Sequence, residues 1–529
     1  MPAALPAFSR RALLGTGAAL LAAPRLGRAE GPRVLRFVPQ ADLAVLDPIF
    51  TTATVTSNHA MMVFDTLYGL DDDFEAHPQM VAGHTVEDDG LTWVITLREG
   101  LKFHDGEPVR GRDVVASIRR WGSRDMYGQE VIAVANEITA PDDRTIRFRL
   151  KRPFPTLPMA LGKVGSNLPV IMPERLAKTS PTTQVTEMVG SGPYRFLANE
   201  RLAGARVAYA RFEDYVPRPD GTPSRTAGPK VAHFDRVEWN IIPDMATAAG
   251  ALMSGEVDWV ESTSSDLSPM LQRSRDVTVS YGDDYYDTIL RFNQLHAPFN
   301  NPAIRRALLG AIDQKEMMQA GYGTDPEGWK TGIGFFNPES PLANDAGMEA
   351  LTGPRDYEKV KRDLAAAGYN GEKVVMLQAE DYPTLRALAE VSAHVMRQLG
   401  MNVETQTGDW GTISQRRSNR EPLDKGGWSA FCTGLSATLD PAGHLGLRAN
   451  GAKAWFGWPD SPKLEELRQE WFAGKDLATQ KETAREIQLQ AFRDVPYIPL
   501  GSYRRLQASR ANLKDFPTGS AYFWGVQRS

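Results

Sequence analysis

Residues 92–106 read Thr-Trp-Val-Ile-Thr-Leu-Arg-Glu-Gly-Leu-Lys-Phe-His-Asp-Gly and carry the most specific pattern in the chain. In the first six residues Trp93, Ile95 and Leu97 share one face of a period-two alternation, and turn residues follow. This pattern predicts a β-strand with one buried face. The same alternation recurs in residues 145–150, Thr-Ile-Arg-Phe-Arg-Leu, which predicts a second strand.

Farther along the chain the pattern alternates between strands and helices. Residues 237–241 alternate as a strand, residues 246–253 form an apolar stretch closed by Gly255, and residues 257–260 are again strand-like. A strand, a helix and a strand in this order predict an α/β unit. The pattern becomes helix-rich near residue 290, which is the domain boundary that pattern alone indicates.

Three segments beyond that point carry helix signals. Asn301-Pro302 offers an N-cap with proline at the first helical position, followed by an apolar face. The helical patterns that begin near Tyr357 and Leu385 stop at Gly368 and Gly400, as glycine C-caps do. The second one leads into an alternating strand at residues 401–405, so this part is also expected to be α/β.

Composition excludes several classes of protein. The chain has 529 residues, one cysteine, 42% hydrophobic and 24% charged residues, which is typical of a globular protein with two or three domains. Sixty basic and 65 acidic residues give a formal net charge of −5. This charge supplies no broad positive field for a phosphate backbone, so nucleic acid is excluded as a partner.

The N-terminus has the parts of an export signal. Paired Arg10-Arg11 precede a short apolar run at residues 12–23, and small residues precede a cleavage point after Ala29. The paired arginines favour the twin-arginine route, and the run is too short to span a bilayer as a helix. Cleavage would remove four arginines and leave a formal net charge of −9. We therefore expect a periplasmic protein with no membrane span.

Local enzyme motifs are absent from the sequence. It contains no phosphate-binding glycine loop with Lys-Ser/Thr, no complete dinucleotide fingerprint after the signal and no Gly-x-Ser-x-Gly elbow. The eight histidines lack the i, i+4 spacing of a helical zinc site. Cys432 and His444 are interpreted as packing residues rather than as a nucleophile and its base. No enzyme activity, cofactor or metal is expected.

Aromatic residues cluster with glycines between residues 410 and 460. Aromatic surfaces with few polar groups hold small organic ligands, and glycines allow close approach of the backbone, although each ring fits a core equally well. The members are Trp410, Trp428, Phe431, Trp455, Phe456 and Trp458, with Gly426, Gly427, Gly434 and Gly457.

Motifs along nearly the whole chain after the signal resemble one family, the extracytoplasmic solute-binding proteins of ABC importers in the dipeptide/oligopeptide/nickel-binding group (family 5). The matching motifs are Leu46-Asp47-Pro48, residues 78–82, Asp89-Gly90-Leu91-Thr92-Trp93, residues 97–106, residues 113–117, Gly190-Ser191-Gly192-Pro193-Tyr194, Gly255-Glu256-Val257-Asp258, Phe292-Asn293 with Pro298-Phe299, residues 304–308 with 311–313, and residues 495–500.

The resemblance implies an α/β fold of the periplasmic binding protein type II class (cluster C), with two lobes, a hinge and an extra inserted domain. Domain I would gather residues 30–73, 190–287 and 503–529, domain II residues 74–189 and domain III residues 288–502. Ligand would contact both lobes only when they close.

The resemblance also implies ligand-binding positions. Trp410 and Arg417 match a tryptophan and an arginine that help line the cleft of peptide-binding relatives. An aspartate that pairs with a peptide's amino group in those relatives is matched here by Ala437 or its neighbours, which puts a free peptide N-terminus in doubt, although Asp440 or a gapped alignment could restore one. Further expected lining residues are Trp428, Phe431, Cys432 and Thr433, with Tyr285 and Tyr286 near the lobe crossover.

The resemblance therefore implies a function in transport. The chain would be the periplasmic substrate-binding component of an ABC importer, a monomer that captures a peptide or other small organic solute and delivers it to the permease and its ATPase subunits. The alternatives are a metal-chelate receptor of the same family and a secreted hydrolase that uses Cys432 or a carboxylate pair.

Overall fold

The structure, a computed structural model, describes residues 33–435, 440–474 and 476–529. The export signal expected at residues 1–29 and the position of Ala437 lie outside the described residues. No helix in the described ranges combines the length and apolar character that a bilayer crossing requires.

Strands and helices alternate along the described chain, which confirms the α/β class. The strands are β1 (Val34–Val38), β2 (Tyr68–Leu70), β3 (Ala76–Pro78), β4 (Val81–Glu87), β5 (Thr92–Leu97), β6 (Ala135–Thr139), β7 (Thr145–Leu150), β8 (Tyr194–Phe196), β9 (Arg206–Arg211), β10 (Arg236–Asn240), β11 (Trp259–Val260), β12 (Val277–Phe292), β13 (Trp329–Lys330), β14 (Lys373–Ala379), β15 (Asn402–Gly408), β16 (Ala430–Leu435), β17 (Tyr497–Arg510), β18 (Leu513–Lys514) and β19 (Gln527–Arg528). The helices are α1 (Thr54–Val63), α2 (Gly111–Gly122), α3 (Met126–Val134), α4 (Leu157–Gly162), α5 (Glu174–Ala177), α6 (Met245–Ser254), α7 (Ser268–Leu271), α8 (Pro302–Leu309), α9 (Gln314–Tyr322), α10 (Glu349–Thr352), α11 (Tyr357–Ala366), α12 (Pro383–Gln398), α13 (Trp410–Arg416), α14 (Pro462–Ala473) and α15 (Leu477–Asp494).

Local capping explains where the predicted helices begin and end. The Asp244 carboxylate accepts a hydrogen bond from the backbone N–H of Thr247 at the start of α6, and Gly255 ends that helix in the left-handed region at φ 81°. Asn301 caps α8 in the same way, with proline at the first helical position as predicted. The helices predicted in residues 357–367 and 385–399 are α11 and α12, which are also confirmed.

One large sheet runs through most of the molecule. Ten strands follow the order β15-β14-β16-β12-β17-β11-β1-β10-β9-β8, and β13 pairs with β17 outside this path. The two long strands β12 and β17 pair antiparallel in the middle, with register shifts between Tyr281 and Tyr285 and between Thr288 and Ile289. β16 pairs with the C-terminal part of β12, whereas β11 pairs with the far end of β17. The β12–β17 ribbon therefore joins the two halves of the sheet.

A smaller sheet carries the two strands predicted first, in the order β4-β5-β7-β6. Trp93 lies opposite Phe148 and Ile95 lies opposite Ile146. All four side chains are buried. The period-two prediction is confirmed here because one face of this sheet packs against a core.

The stretch after β5 contacts a second motif from a distant part of the chain. The backbone N–H of His104 donates to the carbonyl oxygen of Gly190 at 2.8 Å, and His104 Nε2 lies 3.0 Å from the carbonyl oxygen of Gly192. A Cβ at residue 190 would lie 2.1 Å from the carbonyl oxygen of Val63, so only glycine fits. The two motifs together fasten the smaller sheet to the end of α1.

Candidate ligand-binding cleft

A cavity of about 1330 Å³ opens where distant parts of the chain meet. Its walls come from residues 39–56, the α2–α3 region, residues 241–243, and the segments 409–420 and 445–458. Ligand cavities for drug-sized molecules occupy roughly 300–1,000 Å³. This main cavity therefore has room for a ligand of several residues or for a smaller ligand with water.

An inner recess of about 80 Å³ shares part of this wall. Gln40, Trp410, Arg417 and Trp455 line both spaces. The recess is lined in addition by side chains of the three central strands β12, β16 and β17, namely Tyr286, Thr433, Tyr503 and Arg505. The main cavity and the inner recess together form the cleft, and the recess lies at the ribbon that joins the two halves of the sheet.

Arg417 is the most unusual side chain in the cleft. It follows α13 and is only 5% exposed, and four aromatic rings surround its guanidinium. The ring centroids lie 4.9 to 5.9 Å from Cζ and belong to Trp410, Phe431, Phe456 and Trp455. Among the described residues none forms an ion pair with it, and its buried Nε lacks a hydrogen-bond acceptor. Burial lowers the pKa of Arg417 to about 10, so the group stays charged at neutral pH.

The neighbouring Arg416 is only half-buried and has hydrogen-bond acceptors. Its guanidinium donates to the carbonyl oxygens of Gly426 and Gly427, each at 3.1 Å, and also to the side-chain oxygen of Gln406. Arg416 does not line the cleft. The contrast shows that the unpartnered state of Arg417 belongs to the cleft and not to the helix end.

Trp410 is held by the start of α13. Asp409 caps the helix, and the backbone N–H of Trp410 donates to Asp381 Oδ1 at 2.7 Å. The half-buried indole packs against Tyr382, with ring centroids 5.6 Å apart. The Tyr382 hydroxyl donates to Gln40 Oε1 at 3.1 Å, so this wall touches the N-terminal segment across the cleft.

A second contact crosses the cleft at its outer end. Arg448 forms a buried ion pair with Glu130 of α3 at 3.2 Å, and the Gln469 side chain also donates to Glu130. Arg448 is further held by Glu465 at 3.1 Å. This network joins the segment 440–474 to α3, which lies between β5 and β6 of the smaller sheet in the sequence.

The residues that the sequence analysis expects to bind the ligand lie in different surroundings in the structure. Trp410, Arg417, Thr433 and Tyr286 line the cleft. Phe431 lies behind Arg417, and Trp428 is fully buried beside Trp458 in an aromatic core under α13.

Strand alternation separates the neighbours on β12 and β16. Thr433 faces the recess, whereas Cys432 points to the opposite side into the core, where its Sγ lies 3.5 Å from Ser392 Oγ. Tyr286 lines the recess, whereas Tyr285 lines a separate small cavity with Arg225 and does not line the cleft. Tyr286 reaches both spaces, since it also lines that small cavity. Successive side chains of a strand point to opposite faces, which explains why Cys432 does not follow Thr433 into the recess.

No motif or pattern in the sequence predicts that several other residues line the recess. Gln40, Tyr382, and Tyr503 with Arg505 of β17 come from three distant segments that meet only in the folded chain. Trp455, by contrast, belongs to the cluster of aromatic residues between residues 410 and 460 that the sequence analysis identifies.

Cys432 and His444 lack the chemistry of a nucleophile and its base. Burial raises the pKa of the Cys432 thiol to about 12, so it is protonated at neutral pH. Burial lowers the pKa of His444 to about 3, and its Nε2 lies 2.6 Å from the carbonyl oxygen of Phe335. Neither residue lines the cleft.

One group of described residues has metal-ligand chemistry. Asp71, Glu75 and His77 bring their ligand atoms within 4.8 Å of one another at the surface. Asp71 and His77 already form an ion pair at 2.7 Å. The group does not line the cleft, so it gives no support to a metal chelate as the cleft's ligand.

Comparison with known proteins gives consistent results. Residues 75–448 match the family described as bacterial extracellular solute-binding proteins, family 5 Middle. A Sinorhizobium fredii protein named a probable peptide ABC transporter periplasmic-binding protein is 38% identical over 99% of this chain and 100% of its own length.

Two solved structures share the fold. A dipeptide-binding protein from Pseudoalteromonas sp. SM9913 in complex with Met-Leu has a TM-score of 0.78 and 21% identity, covering 94% of this chain and 100% of its own. The binding protein AgaA from A. tumefaciens R10 in complex with agropinic acid has a TM-score of 0.77 and 21% identity, covering 94% of this chain and 99% of its own.

Proposed function

We propose that the cleft of this chain captures a peptide or another small organic solute in the periplasm. The proposal starts from the family, since the chain belongs to the bacterial extracellular solute-binding proteins of family 5. It is the substrate-binding component of an ABC importer and has the type II periplasmic-binding-protein fold. In this role it acts as a monomer and delivers the solute to the membrane permease, whose ATPase subunits supply the energy.

The two lobes and the extra domain are proposed with the boundaries that the family resemblance implies. Domain I is proposed to comprise residues 30–73, 190–287 and 503–529, domain II residues 74–189 and domain III residues 288–502. The boundaries 287/288 and 502/503 then fall inside β12 and β17. This assignment makes the β12–β17 ribbon the hinge, and the register shift between Tyr281 and Tyr285 interrupts its ladder close to the crossing.

We propose that two contacts across the cleft form when the lobes close. Tyr382 with Gln40 joins domain III to domain I, and Arg448 with Glu130 joins domain III to domain II. A ligand that contacts both lobes shifts the open–closed equilibrium by its differential affinity for the two states. Expulsion of water from the shut cleft then strengthens each polar contact to the ligand.

The observation that carries the proposal is the position of the recess. It lies at the proposed hinge, and it is lined by residues of domain I, such as Gln40, and of domain III, such as Trp410 and Arg417. We propose that Trp410, Arg417, Tyr286 and Thr433 contact the ligand. The protein releases that ligand chemically unaltered, since the buried Cys432 and His444 cannot act as nucleophile and base there.

A ligand panel tests this function. Peptides, opines, sugars and metal chelates are added to the purified protein, which is produced without its export signal peptide. A thermal-shift assay measures the unfolding temperature, and calorimetry measures binding. A ligand present at 100 times its Kd should stabilise the protein by about 2.7 kcal/mol and should be recovered with its mass unchanged. A cleaved ligand would favour the hydrolase, and silence across the panel would count against a receptor.

Trp410→Ala is expected to weaken the binding of any ligand found in this way by about 10-fold or more, because stacking and buried area are lost. The half-buried indole should contribute little to the free energy of unfolding. Calorimetry measures the first effect and urea unfolding the second. The control is Trp329→Ala, which removes a half-buried indole that does not line the cleft. If the wild type and Trp410→Ala bind the ligand with equal affinity, Trp410 does not contribute to the binding site.

A further inference from the structure

The charges of the inner recess are unbalanced. Its described lining contains Arg417 and Arg505 and no acidic residue. Arg505 is neutralised by Glu261, whose Oε1 lies 2.6 Å from Nη1. Arg417 has no such partner among the residues that the structure describes, so one positive charge in the recess is uncompensated.

The carboxylates near the recess are engaged elsewhere. Glu130 is paired with Arg448, Asp409 caps α13 and Asp381 accepts the N–H of Trp410. Asp42 lines the main cavity but not the recess. None of these four carboxylates forms an ion pair with Arg417.

The segment after β16 adds no acid to the recess. Residues 436–439 are Ser-Ala-Thr-Leu, and their sequence contains no carboxylate. Asp440 lines a different cavity of about 680 Å³, and its Oδ1 accepts the backbone N–H groups of Ala442 and Gly443. A ligand ammonium entering the recess would therefore meet Arg417 without a described carboxylate beside it.

A buried guanidinium without a counter-ion costs free energy, which the four surrounding rings offset only in part. Proteins retain such a group where a bound molecule supplies the missing charge. A carboxylate matches the planar fork of arginine with two parallel hydrogen bonds. Desolvation in the recess makes this pairing selective against a neutral amide of the same shape.

We propose that the solute is an organic acid whose carboxylate pairs with Arg417 in the inner recess and which requires no free amino group there. This inference rests on the proposed function and narrows its substrate class. Acids with a blocked, substituted or absent amino group should be accepted, whereas molecules that offer the recess only an ammonium or an amide should be rejected.

Matched probes test the charge requirement. The purified protein without its signal is titrated by calorimetry with Met-Leu, N-acetyl-Met-Leu, Met-Leu amide and agropinic acid. Acetylation should change the Kd of the dipeptide by less than about 3-fold, whereas amidation should weaken it by about 100-fold. The preference for acid over amide should vanish in Arg417→Met. Equal binding of acid and amide would overturn the inference but leave the receptor function standing, whereas silence of all four probes and of the wider panel would count against the receptor itself.

A second measurement needs no ligand. Arg417→Met removes an uncompensated buried charge, so the melting temperature of the unliganded protein should rise by about 1 to 2 °C. The matched control Arg416→Met loses hydrogen bonds to two carbonyl oxygens and should melt below the wild type. If Arg417→Met melts below the wild type as the control does, Arg417 is a structural residue and the inference fails.

Discussion

Arg291→Met is expected to lower the free energy of unfolding by about 3 kcal/mol and to weaken ligand binding in the same variant. Arg291 lies on β12 and is fully buried, and its guanidinium donates to the carbonyl oxygens of Phe456, Gly446 and Pro496 at 2.7, 2.8 and 2.9 Å. Methionine fills a similar volume without a donor, so each of these carbonyls loses the hydrogen bond that Arg291 donates.

The same substitution should disturb the cleft because Arg291 holds the wall that carries Trp455. Its Cζ lies 5.3 Å from the Trp455 ring. Gly457 passes so close that a Cβ there, at φ 95°, would lie 2.3 Å from the carbonyl oxygen of Phe292. Loosening this loop moves the rings around Arg417, so affinity falls together with stability.

Urea unfolding and calorimetry of Arg291→Met measure both effects, with the exposed Arg362→Met as the control. Arg291 and Arg417 are both buried arginines without a carboxylate partner in the described part of the chain, yet their substitutions should change stability in opposite directions. The difference is that Arg291 has four carbonyl acceptors, whereas Arg417 has none among the residues that the structure describes. A stability of Arg291→Met within about 1 kcal/mol of the wild type would contradict this explanation.

Asp47→Ala should lower the free energy of unfolding by about 3 to 5 kcal/mol, because it leaves a buried arginine without its carboxylate partner. The Asp47 carboxylate lies 2.6 Å from Arg120 of α2, and the two side chains are 0% and 2% exposed. It also accepts the backbone N–H groups of Ile49 and Val185. One side chain therefore joins the N-terminal segment to α2 and to the backbone at Val185.

The exposed pair Lys102–Asp214 supplies a matched control for this substitution. Its side chains are 47% and 55% exposed at a separation of 2.8 Å. Asp214→Ala should change the free energy of unfolding by no more than about 1 kcal/mol. Urea unfolding measures the free energy of unfolding of both variants. If Asp47→Ala and Asp214→Ala lower it equally, burial of the Asp47–Arg120 pair does not increase the contribution of that pair to stability.

The sequence predicts the elements of this fold well because their signals are local. Trp93 and Ile95 alternate over a distance that one strand spans, and Gly255 and Gly400 end helices through their own backbone conformation. The ordering of strands in the large sheet has no such local signal, since β1 pairs with β10 and β11, which follow it by some two hundred residues.

The candidate site could be predicted only in part for the same reason. Trp410 and Arg417 are predicted because they match cleft positions of peptide-binding relatives, whereas Tyr382 and Arg505 join them only through tertiary structure. Trp428 shows a second limit: an aromatic residue looks the same in the sequence whether it faces a ligand or a core, and this one is fully buried.

Small-angle X-ray scattering of the protein without its signal, with and without a saturating ligand from the panel, tests hinge closure most directly. Bending of the β12–β17 ribbon should bring the lobes together, so the radius of gyration should fall on binding and should not fall in Arg417→Met at the same ligand concentration. Identical scattering curves for the free and the ligand-saturated wild type would contradict the proposal that the two lobes close on a captured solute.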